Sequence, residues 1–457
     1  MIMDDAQQSS RSFLHQLQDN GPASFVAISR RSRREWALYL ATCLLLVVTL
    51  VMPYLTYSDL PLTGEGSSER QIGYMLVLAL AIYGARPAIA RWKLIAMPIP
   101  VLLALGWCWL SIAWAIAPDI AVRRLLLTTV VVWTAFLLVQ QMGYRSTLDI
   151  MRGVLVVALV ANYITVFVDP MTGIHMMKDA SMSTALIGNW RGFLVHKNNA
   201  GAICAITIII FLFDAKQISR SWRFGVILLA GYFLFRSQSK TSAGMVVLAS
   251  MAGATFIFYS RRFRNYAVPA IVILASLGWM ILSAYKDILI FNYLAPSSFT
   301  GRGYIWNMLV RYAIEHPLTG AGFGSFWDIG AYSPVYQYGT GFLTQLAVGH
   351  NGYLDLLVTV GFPGLLLSVF ALVVWPLWTL LADETIKPQE GALIAAMLIF
   401  CIGHNVTESS LFARDTMVGV FLLLTVAFTR AVAGRRVRKT KRSQAGDDLM
   451  RIVKARG

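Results

Sequence analysis

The chain has 457 residues, of which 57% are hydrophobic and only 14% are charged. A water-soluble domain usually carries about a quarter charged residues, so this composition excludes a soluble globular protein and favours a polytopic membrane protein. The net charge of +16 does not indicate nucleic-acid binding. The basic residues lie in short loops and beside apolar segments, where Lys and Arg set membrane orientation and contact the lipid bilayer.

Apolar segments recur along the chain, and they predict an all-α polytopic membrane protein with about twelve transmembrane helices. One large loop, 285–349, separates the ninth span from the tenth. The expected domains are an N-terminal tail (1–35), a transmembrane domain (36–433) that includes this loop, and a basic C-terminal tail (434–457). The predicted spans are 36–56, 73–90, 94–117, 125–142, 150–168, 199–213, 222–235, 243–259, 266–284, 353–381, 391–403 and 418–433.

Positive charge sets the expected orientation, because cytoplasmic loops are enriched in Lys and Arg. With the N-terminus in the cytoplasm, most loops that follow even-numbered spans are basic and lie inside, as does the C-terminal tail. The acidic loop 382–390 is the exception. Residues 1–35 lack a signal-peptide layout, so we expect the first span to remain as an anchor. The four cysteines lie in separate apolar segments and show no disulfide or metal-ligand spacing.

Ionisable residues at the outer ends of spans are informative, because a charged group in hydrocarbon is costly unless it is paired or functional. His350 opens the tenth span beside Asn351. A neutral imidazole here either takes a proton from a sugar hydroxyl or hydrogen-bonds the neighbouring backbone. Arg302 lies between Gly301 and Gly303. Its guanidinium either binds diphosphate oxygens in a bidentate manner or is solvated in the loop.

The segment that follows Arg302 has apolar residues at helical spacing over 304–313 and stops at Pro317. It predicts a short amphipathic helix on the outer face, with Arg302 at one end and His316 near the other. The glycine-rich run 320–324 follows no predicted strand. It therefore indicates a flexible turn that brings aromatic residues near the membrane, rather than a phosphate-binding loop.

Outer loops normally contain few cations, yet two groups of them flank the middle spans. Arg191, His196 and Lys197 precede the sixth span, and His196 is the titratable member of this group. Arg236 and Lys240 lie between the seventh and eighth spans. Either group is explained by phospholipid headgroups or by an anionic ligand. Together they favour an outward-facing site for a lipid-linked phosphate.

His404 and Glu408 close the eleventh span. Glu408 is suited to orient His404, to pair with an arginine, or to form a salt bridge at the helix end. The sequence contains no Asp-x-Asp and no cluster of carboxylates or histidines with metal-ligand spacing. We therefore expect no metal and no other cofactor.

These motifs resemble those of a known family. His350-Asn351, nine further residues, and then Gly361 and Gly364 are similar to the motif of O-antigen ligases. Segment 301–324 resembles the core of the superfamily that contains O-antigen ligases and Wzy-type polymerases. Similarity to the exopolysaccharide polymerase branch rests on Trp190-Arg191-Gly192 and His196-Lys197-Asn198.

The resemblance implies a GT-C-like, metal-independent glycosyltransferase of the bacterial inner membrane, with a periplasmic active site. Its implied partners are an oligosaccharide donor on undecaprenyl diphosphate, a glycan acceptor, a flippase and a chain-length regulator. On the matched positions, His350 is the base for the acceptor hydroxyl, Arg302 holds the diphosphate and Arg191 assists it. The other candidates for substrate binding are His196, Lys197, Arg236, Lys240, His316, His404 and Glu408.

Three functions stay open. A polymerase joins lipid-linked repeat units into exopolysaccharide with inversion at the anomeric carbon, and the triplet His196-Lys197-Asn198 favours it. A ligase performs the same chemistry with lipid A-core as acceptor. A transporter of the lipid-linked sugar needs charged residues at mid-membrane, whereas the charges here mostly lie at the ends of spans.

Overall fold

The computed structural model describes residues 32–55, 67–85, 94–176, 186–263, 266, 302–413 and 416–434. Within these ranges the chain is helical and contains no strand, apart from an isolated bridge between Ile174 and Trp190. The predicted all-α class is confirmed for this part of the chain. Most of both predicted tails (residues 1–31 and 435–457), the first part of the 285–349 loop and nearly all of the ninth predicted span lie outside the described residues.

Each predicted span that falls within the described residues overlaps a helix, except that spans 125–142 and 150–168 share one helix and span 353–381 covers two helices joined by the π-helical turn Phe370–Val374. Several of these helices are apolar and long enough to cross a membrane by length and composition. Because span 266–284 lies outside the described residues apart from Tyr266, the count of about twelve spans stays a prediction. Helices α1 to α12 are Arg33–Leu55, Ser68–Ala85, Ile99–Leu110, Pro118–Val168, Lys197–Leu212, Arg220–Ser237, Lys240–Phe258, Arg302–Glu315, Gly352–Val369, Trp375–Ala382, Pro388–His404 and Met417–Val432.

Helix α4 contains two predicted spans, 125–142 and 150–168, within 51 residues. A straight helix of this length would far exceed the thickness of a bilayer at about 1.5 Å per residue. The helix is interrupted at Gly143, where φ is 81° and ψ is 167°. This conformation is open to glycine and disfavoured for side-chain-bearing residues. A break at one residue therefore takes the place of the expected connecting loop.

The centre of the bundle is formed by helices that are buried on nearly all sides, α5, α11 and α12. Helices that are apolar all round belong in the interior of a helical protein. Helices α6 and α7 instead expose large apolar side chains such as Phe224, Leu228 and Met251. Such an exposed apolar surface is suited to contact with lipid chains.

The connecting segments gather at two opposite ends of the bundle. We call the end with segments 111–117, 186–196, 302–350 and 404–413 the His350 face, because hydrogen bonds join these segments to one another. The other end holds the break at Gly143, Asp214, the acidic loop 382–390 and Gly434, and we call it the Asp214 face. The alternation of segments between the two faces agrees with the predicted order of the loops, while the compartment that each face meets stays a prediction.

The acidic loop 382–390 lies on the Asp214 face, among basic residues that its carboxylates can pair with. Asp214 accepts hydrogen bonds from the hydroxyl of Tyr144 at 2.8 Å and from the guanidinium of Arg145 at 2.9 Å. Arg145 also lies 3.8 Å from a carboxylate oxygen of Glu390. The backbone N–H of Gly434 donates to Asp383 at 2.7 Å. The acidic loop thus compensates part of the basic charge on this face.

The predicted amphipathic helix of the large loop is confirmed as α8. It buries Ile305, Leu309 and Tyr312 on one side. These residues pack with Phe326 and Trp327 in a core cluster that is separate from the main one. Val358 of α9 belongs to the same cluster, so this second apolar core joins α8 to the bundle.

The glycine-rich turn packs closely against the bundle. Gly320, Gly322 and Gly324 have φ values of 61°, 86° and 71°. A Cβ on Gly320 would lie 2.7 Å from the backbone carbon of Thr359, and one on Gly322 would lie 2.5 Å from Ala115. We expected a flexible turn from the sequence, whereas these glycines permit the loop backbone to approach two helical segments.

Arg124 of α4 fastens the same turn. Its guanidinium donates to the backbone carbonyl oxygens of Gly324 and Trp327 at 2.7 Å and of Asp328 at 2.8 Å. The arginine is 8% exposed, so these carbonyl groups supply the polar partners that a buried guanidinium requires. The sequence analysis did not single out Arg124.

Gly361 should be sensitive to substitution, because it has a φ of 68° and an added Cβ would lie 2.1 Å from the carbonyl oxygen of Leu318. We expect Gly361→Ala to destabilise the fold by about 1–3 kcal/mol through backbone strain alone. The measurement is the apparent melting temperature of the purified protein in detergent. Gly106→Ala is the matched control, since nothing lies within 4 Å of its added Cβ. Equal melting of both variants would contradict this account.

Candidate active site

The carboxylate of Glu408 joins residues from three other parts of the chain. Its Oε1 accepts hydrogen bonds from the guanidinium of Arg302, which begins α8, and from the side-chain amide of Asn198 in α5, each at 2.7 Å. Its Oε2 lies 3.3 Å from Nδ1 of His350, just before α9. We call these four residues the Glu408 cluster. It lies on the His350 face.

Glu408 is an anion at neutral pH. Although burial raises its pKa, the hydrogen bond with His350 and the positive charge of Arg302 lower the pKa from 4.5 to about 2. An ionised carboxylate accepts hydrogen bonds and cannot donate them, so Nδ1 of His350 is the donor in this pair. A neutral His350 then keeps its lone pair on Nε2, the atom that can accept a proton.

The backbone around His350 is held in an unusual conformation. The φ of His350 is 50°, a region that costs a side-chain-bearing residue about 1–3 kcal/mol. The N–H of Gly349 lies 3.1 Å from both carboxylate oxygens of Asp355, and Trp327 donates to the same carboxylate at 2.8 Å. Trp306 donates to the carbonyl oxygen of Gly349 at 3.1 Å. These bonds fix the turn that presents the imidazole.

Asp355 is a positioning residue that the sequence analysis missed. The available signal was a carboxylate in the first turn of an otherwise apolar span, where an ionisable group requires a partner or a function. Its partners, Gly349 and Trp327, lie in the large loop and could not be identified from sequence spacing.

Asn351 and Gly352 fasten the start of α9 to the segment that carries Glu408. The side chain of Asn351 caps α9, and its backbone N–H donates to Oγ of Ser409 at 2.9 Å. The N–H of Gly352 donates to the carbonyl oxygens of Asn405 and Glu408 at 2.9 and 3.1 Å. A Cβ on Gly352 would lie 2.3 Å from Oδ1 of Asn405. These contacts set the distance between His350 and Glu408.

His196 and Lys197 adjoin the cluster through Asn198. Nδ1 of His196 accepts the N–H of Asn198 at 3.2 Å and so caps α5. Burial, together with the neighbouring His175, lowers the pKa of His196 to about 4. The imidazole is therefore neutral near pH 7 and does not supply the titratable cation expected there. The ammonium of Lys197 donates to the carbonyl oxygen of Gln238 at 3.1 Å.

The remaining predicted cations do not contact the carboxylate of Glu408 within the described structure. Nε of Arg191 donates to the carbonyl oxygen of Thr172 at 2.8 Å. The guanidinium of Arg236 lies 4.8 Å from the ring centroid of Trp190, which is a cation–π distance. Lys240 begins α7. The role of Arg191 in assisting Arg302 and the roles of Arg236 and Lys240 in substrate binding stay predictions.

The two remaining histidines that the sequence predicted for substrate binding, His404 and His316, lie far apart in the chain. His404 ends α11 and, with Glu408, lines a cavity of about 200 Å³. In the described residues neither ring nitrogen of His404 has a hydrogen-bond partner, so Glu408 pairs with Arg302 and does not orient His404. His316 follows α8, and its ring lies 4.5 Å from that of Tyr312. Helix α8 separates it from Arg302 by about 20 Å at 1.5 Å per residue.

Known proteins that are similar to this chain belong to the kinds of protein that the His350 and Arg302 motifs resemble. The family model described as O-antigen ligase matches residues 224–369. The chain is also 25% identical over 361 residues to the exopolysaccharide production protein ExoQ of Rhizobium meliloti (strain 1021), a match that covers 74% of this chain and 78% of that protein. Residues 224–369 are therefore similar to proteins of the O-antigen ligase family. The similarity to ExoQ supports the exopolysaccharide branch indicated by the sequence motifs.

The O-antigen ligase match contains Arg302, His350 and the motif glycines. It ends before Glu408 and begins after Asn198. The structure therefore adds to the matched region the carboxylate and the amide that hold its arginine and histidine together.

Glu408→Gln keeps the side-chain shape and removes the charge. Because the folded pKa of about 2 lies below the ordinary value of 4.5, the ionised carboxylate stabilises the fold above about pH 4.5 and loses this effect as pH falls towards 2. At pH 7 we expect the free energy of unfolding of the variant to be about 1.5–3 kcal/mol lower than that of the wild type, which is the contribution of a hydrogen bond to a charged group.

Detergent unfolding of the wild type and the variant, followed by tryptophan fluorescence over this pH range, measures the effect. The stability gap between the two proteins should narrow as the pH falls below 4.5. A gap that stays constant with pH would show that the charge of Glu408 does not stabilise the cluster.

Proposed function

We propose that the protein polymerises undecaprenyl-diphosphate-linked repeat units into exopolysaccharide, as a metal-independent, inverting glycosyltransferase. The observation that carries the proposal is the shared carboxylate, because Arg302 and His350 bind to different oxygens of Glu408 and lie close enough to act on one substrate. Similarity to an exopolysaccharide production protein supports the nature of the product. On the predicted orientation, the His350 face meets the periplasm.

In the proposed reaction, Nε2 of His350 takes the proton of the acceptor hydroxyl while that oxygen attacks the anomeric carbon of the donor. The bond between this carbon and the diphosphate oxygen breaks, and undecaprenyl diphosphate leaves with the electron pair. Attack opposite the leaving group inverts the anomeric centre. Glu408 keeps the imidazole in the reactive tautomer and stabilises the imidazolium that forms.

Arg302 is suited to stabilise the leaving group. Guanidinium has five N–H donors in a planar fork, and one nitrogen bonds to Glu408. Among the described residues its other donors have no partner, so they can bind the diphosphate oxygens where negative charge accumulates. Lys197, which precedes Asn198 in the chain, adds positive charge near the cluster, and Arg191 is predicted to assist Arg302. A diphosphate that is already a good leaving group needs no metal in this mechanism.

A ligase that transfers the lipid-linked glycan to lipid A-core is the second candidate. It would use the same cluster, and the description of the matched family, O-antigen ligase, favours it. The two functions differ in the acceptor. Transport of the lipid-linked sugar receives less support, because the buried Arg124 and Arg152 bond to backbone carbonyl groups and so have structural partners.

A deletion strain complemented with variants tests the catalytic residues. We expect His350→Ala and Arg302→Ala each to lower polymer synthesis by about 100-fold or more, the usual loss for a missing acid–base or charge-stabilising group. Arg311→Ala is the matched control, because Arg311 is an exposed arginine on the same helix. Each variant must be present in the membrane at the wild-type level.

The product lost from the deletion strain separates the two functions. Loss of high-molecular-weight exopolysaccharide with intact lipopolysaccharide supports the polymerase. Lipopolysaccharide without its O-chain supports the ligase. Wild-type synthesis by the His350 or Arg302 variant would remove that residue from the mechanism.

A further inference from the structure

A second concave site lies on the His350 face, away from the Glu408 cluster. It has a volume of about 580 Å³ and lies between Trp114, the end of α8 and the segment 331–337. Its volume falls within the range of about 300–1,000 Å³ that is common for small-molecule sites. The mechanism proposed above does not use this cleft.

Four aromatic rings of the described residues line the cleft, of which two are held in place and two are exposed. Tyr312 is buried, and the indole N–H of Trp114 donates to the carbonyl oxygen of Thr319 at 2.8 Å, so both rings are fixed. Tyr332 and Tyr336 are 80% and 54% exposed. Within the described structure neither of these two side chains makes a hydrogen bond or a ring contact. They present flat apolar surfaces and hydroxyl groups to whatever enters the cleft.

The polar side chains of the cleft carry no permanent charge. His316, Thr319 and Gln337 line it, and the part of the chain that the structure describes provides no hydrogen-bond partner for their side chains. No Lys, Arg, Asp or Glu is among the described residues that line the cleft. This lining is poorly suited to a diphosphate, which binds arginines and lysines.

Aromatic faces interspersed with neutral donors and acceptors match the chemistry of a sugar. A pyranose ring presents apolar C–H faces that pack on aromatic rings, and its rim of hydroxyl groups bonds to amide, imidazole and hydroxyl side chains. The location is also suitable. Helix α8 runs from Arg302 in the Glu408 cluster to the edge of the cleft at Tyr312 and His316, a length of about 20 Å.

We propose that this cleft is a binding site for sugar residues of the glycan chain, separate from the site that holds the lipid diphosphate. The proposal deepens the proposed function and rests on it for the identity of the glycan. The cleft holds sugars at a distance from the bond that forms. It therefore contributes to retention of the chain between additions and not to the chemical step.

The test uses a lipid-free oligosaccharide, prepared by mild acid hydrolysis of the strain's own exopolysaccharide, and the purified full-length protein in detergent. Calorimetry measures its binding to the wild type and to Tyr332→Ala and Tyr336→Ala. We expect each substitution to weaken binding about tenfold, because each removes one aromatic packing surface. Tyr336→Phe keeps the ring and should retain most of the affinity.

Phe342→Ala is the matched control, since Phe342 is an exposed aromatic residue of the same loop at 53% exposure and does not line the cleft. It should bind as the wild type does. Equal affinity of the tyrosine variants and the control would overturn the proposal, as would a wild-type protein that does not bind the oligosaccharide.

His350→Ala separates this inference from the proposed function. It should bind the lipid-free oligosaccharide like the wild type while synthesising no polymer. The tyrosine variants should still synthesise polymer, with shorter chains on gel filtration. If oligosaccharide binding depends on the tyrosines but the deletion strain keeps its exopolysaccharide, the sugar cleft stands and the polymerase function fails. If tyrosine variants make chains of wild-type length, retention by the cleft is excluded.

Discussion

The pairing of one partly buried carboxylate with three nitrogen-bearing side chains is the interaction on which the site depends. A buried anion is costly unless charged or hydrogen-bonding partners compensate it. Glu408 has three such partners, Arg302, His350 and Asn198. They begin α8, precede α9 and lie in the first turn of α5. The electrostatic requirement of a single side chain therefore also fixes how these helices meet at the His350 face.

Helices α8 and α9 connect the Glu408 cluster to the rest of the fold. At the start of α9, Asp355 holds the turn of His350, and further along, Gly361 receives the loop backbone at Leu318. Helix α8 begins in the cluster and ends at the aromatic cleft. His350, Arg302, the described part of the large loop (302–349) and the cleft are thus parts of one packed unit. Residues 302–349 of the large loop are therefore a structural component of this face.

The sequence predicted the features that depend on local pattern. A membrane-spanning segment must satisfy its backbone hydrogen bonds internally, so apolar length alone indicates helices. The spacing of Ile305 and Leu309 likewise predicted α8. Contacts between residues that are distant in the chain could not be predicted from the sequence. The bond from Asn198 to Glu408 joins residues 210 positions apart, and the neutral state of His196 depends on burial. The motif identified Arg302 and His350, but the carboxylate between them follows from packing.

The most direct measurement is a cryo-EM structure of the protein with a non-hydrolysable donor, a repeat unit joined to undecaprenyl through a diphosphonate. The account predicts diphosphonate oxygens within hydrogen-bond distance of Arg302 and the anomeric carbon facing Nε2 of His350, with Glu408 still bonded to Nδ1. A donor headgroup bound at the Asp214 face, or an imidazole turned away from Glu408 in the complex, would contradict it.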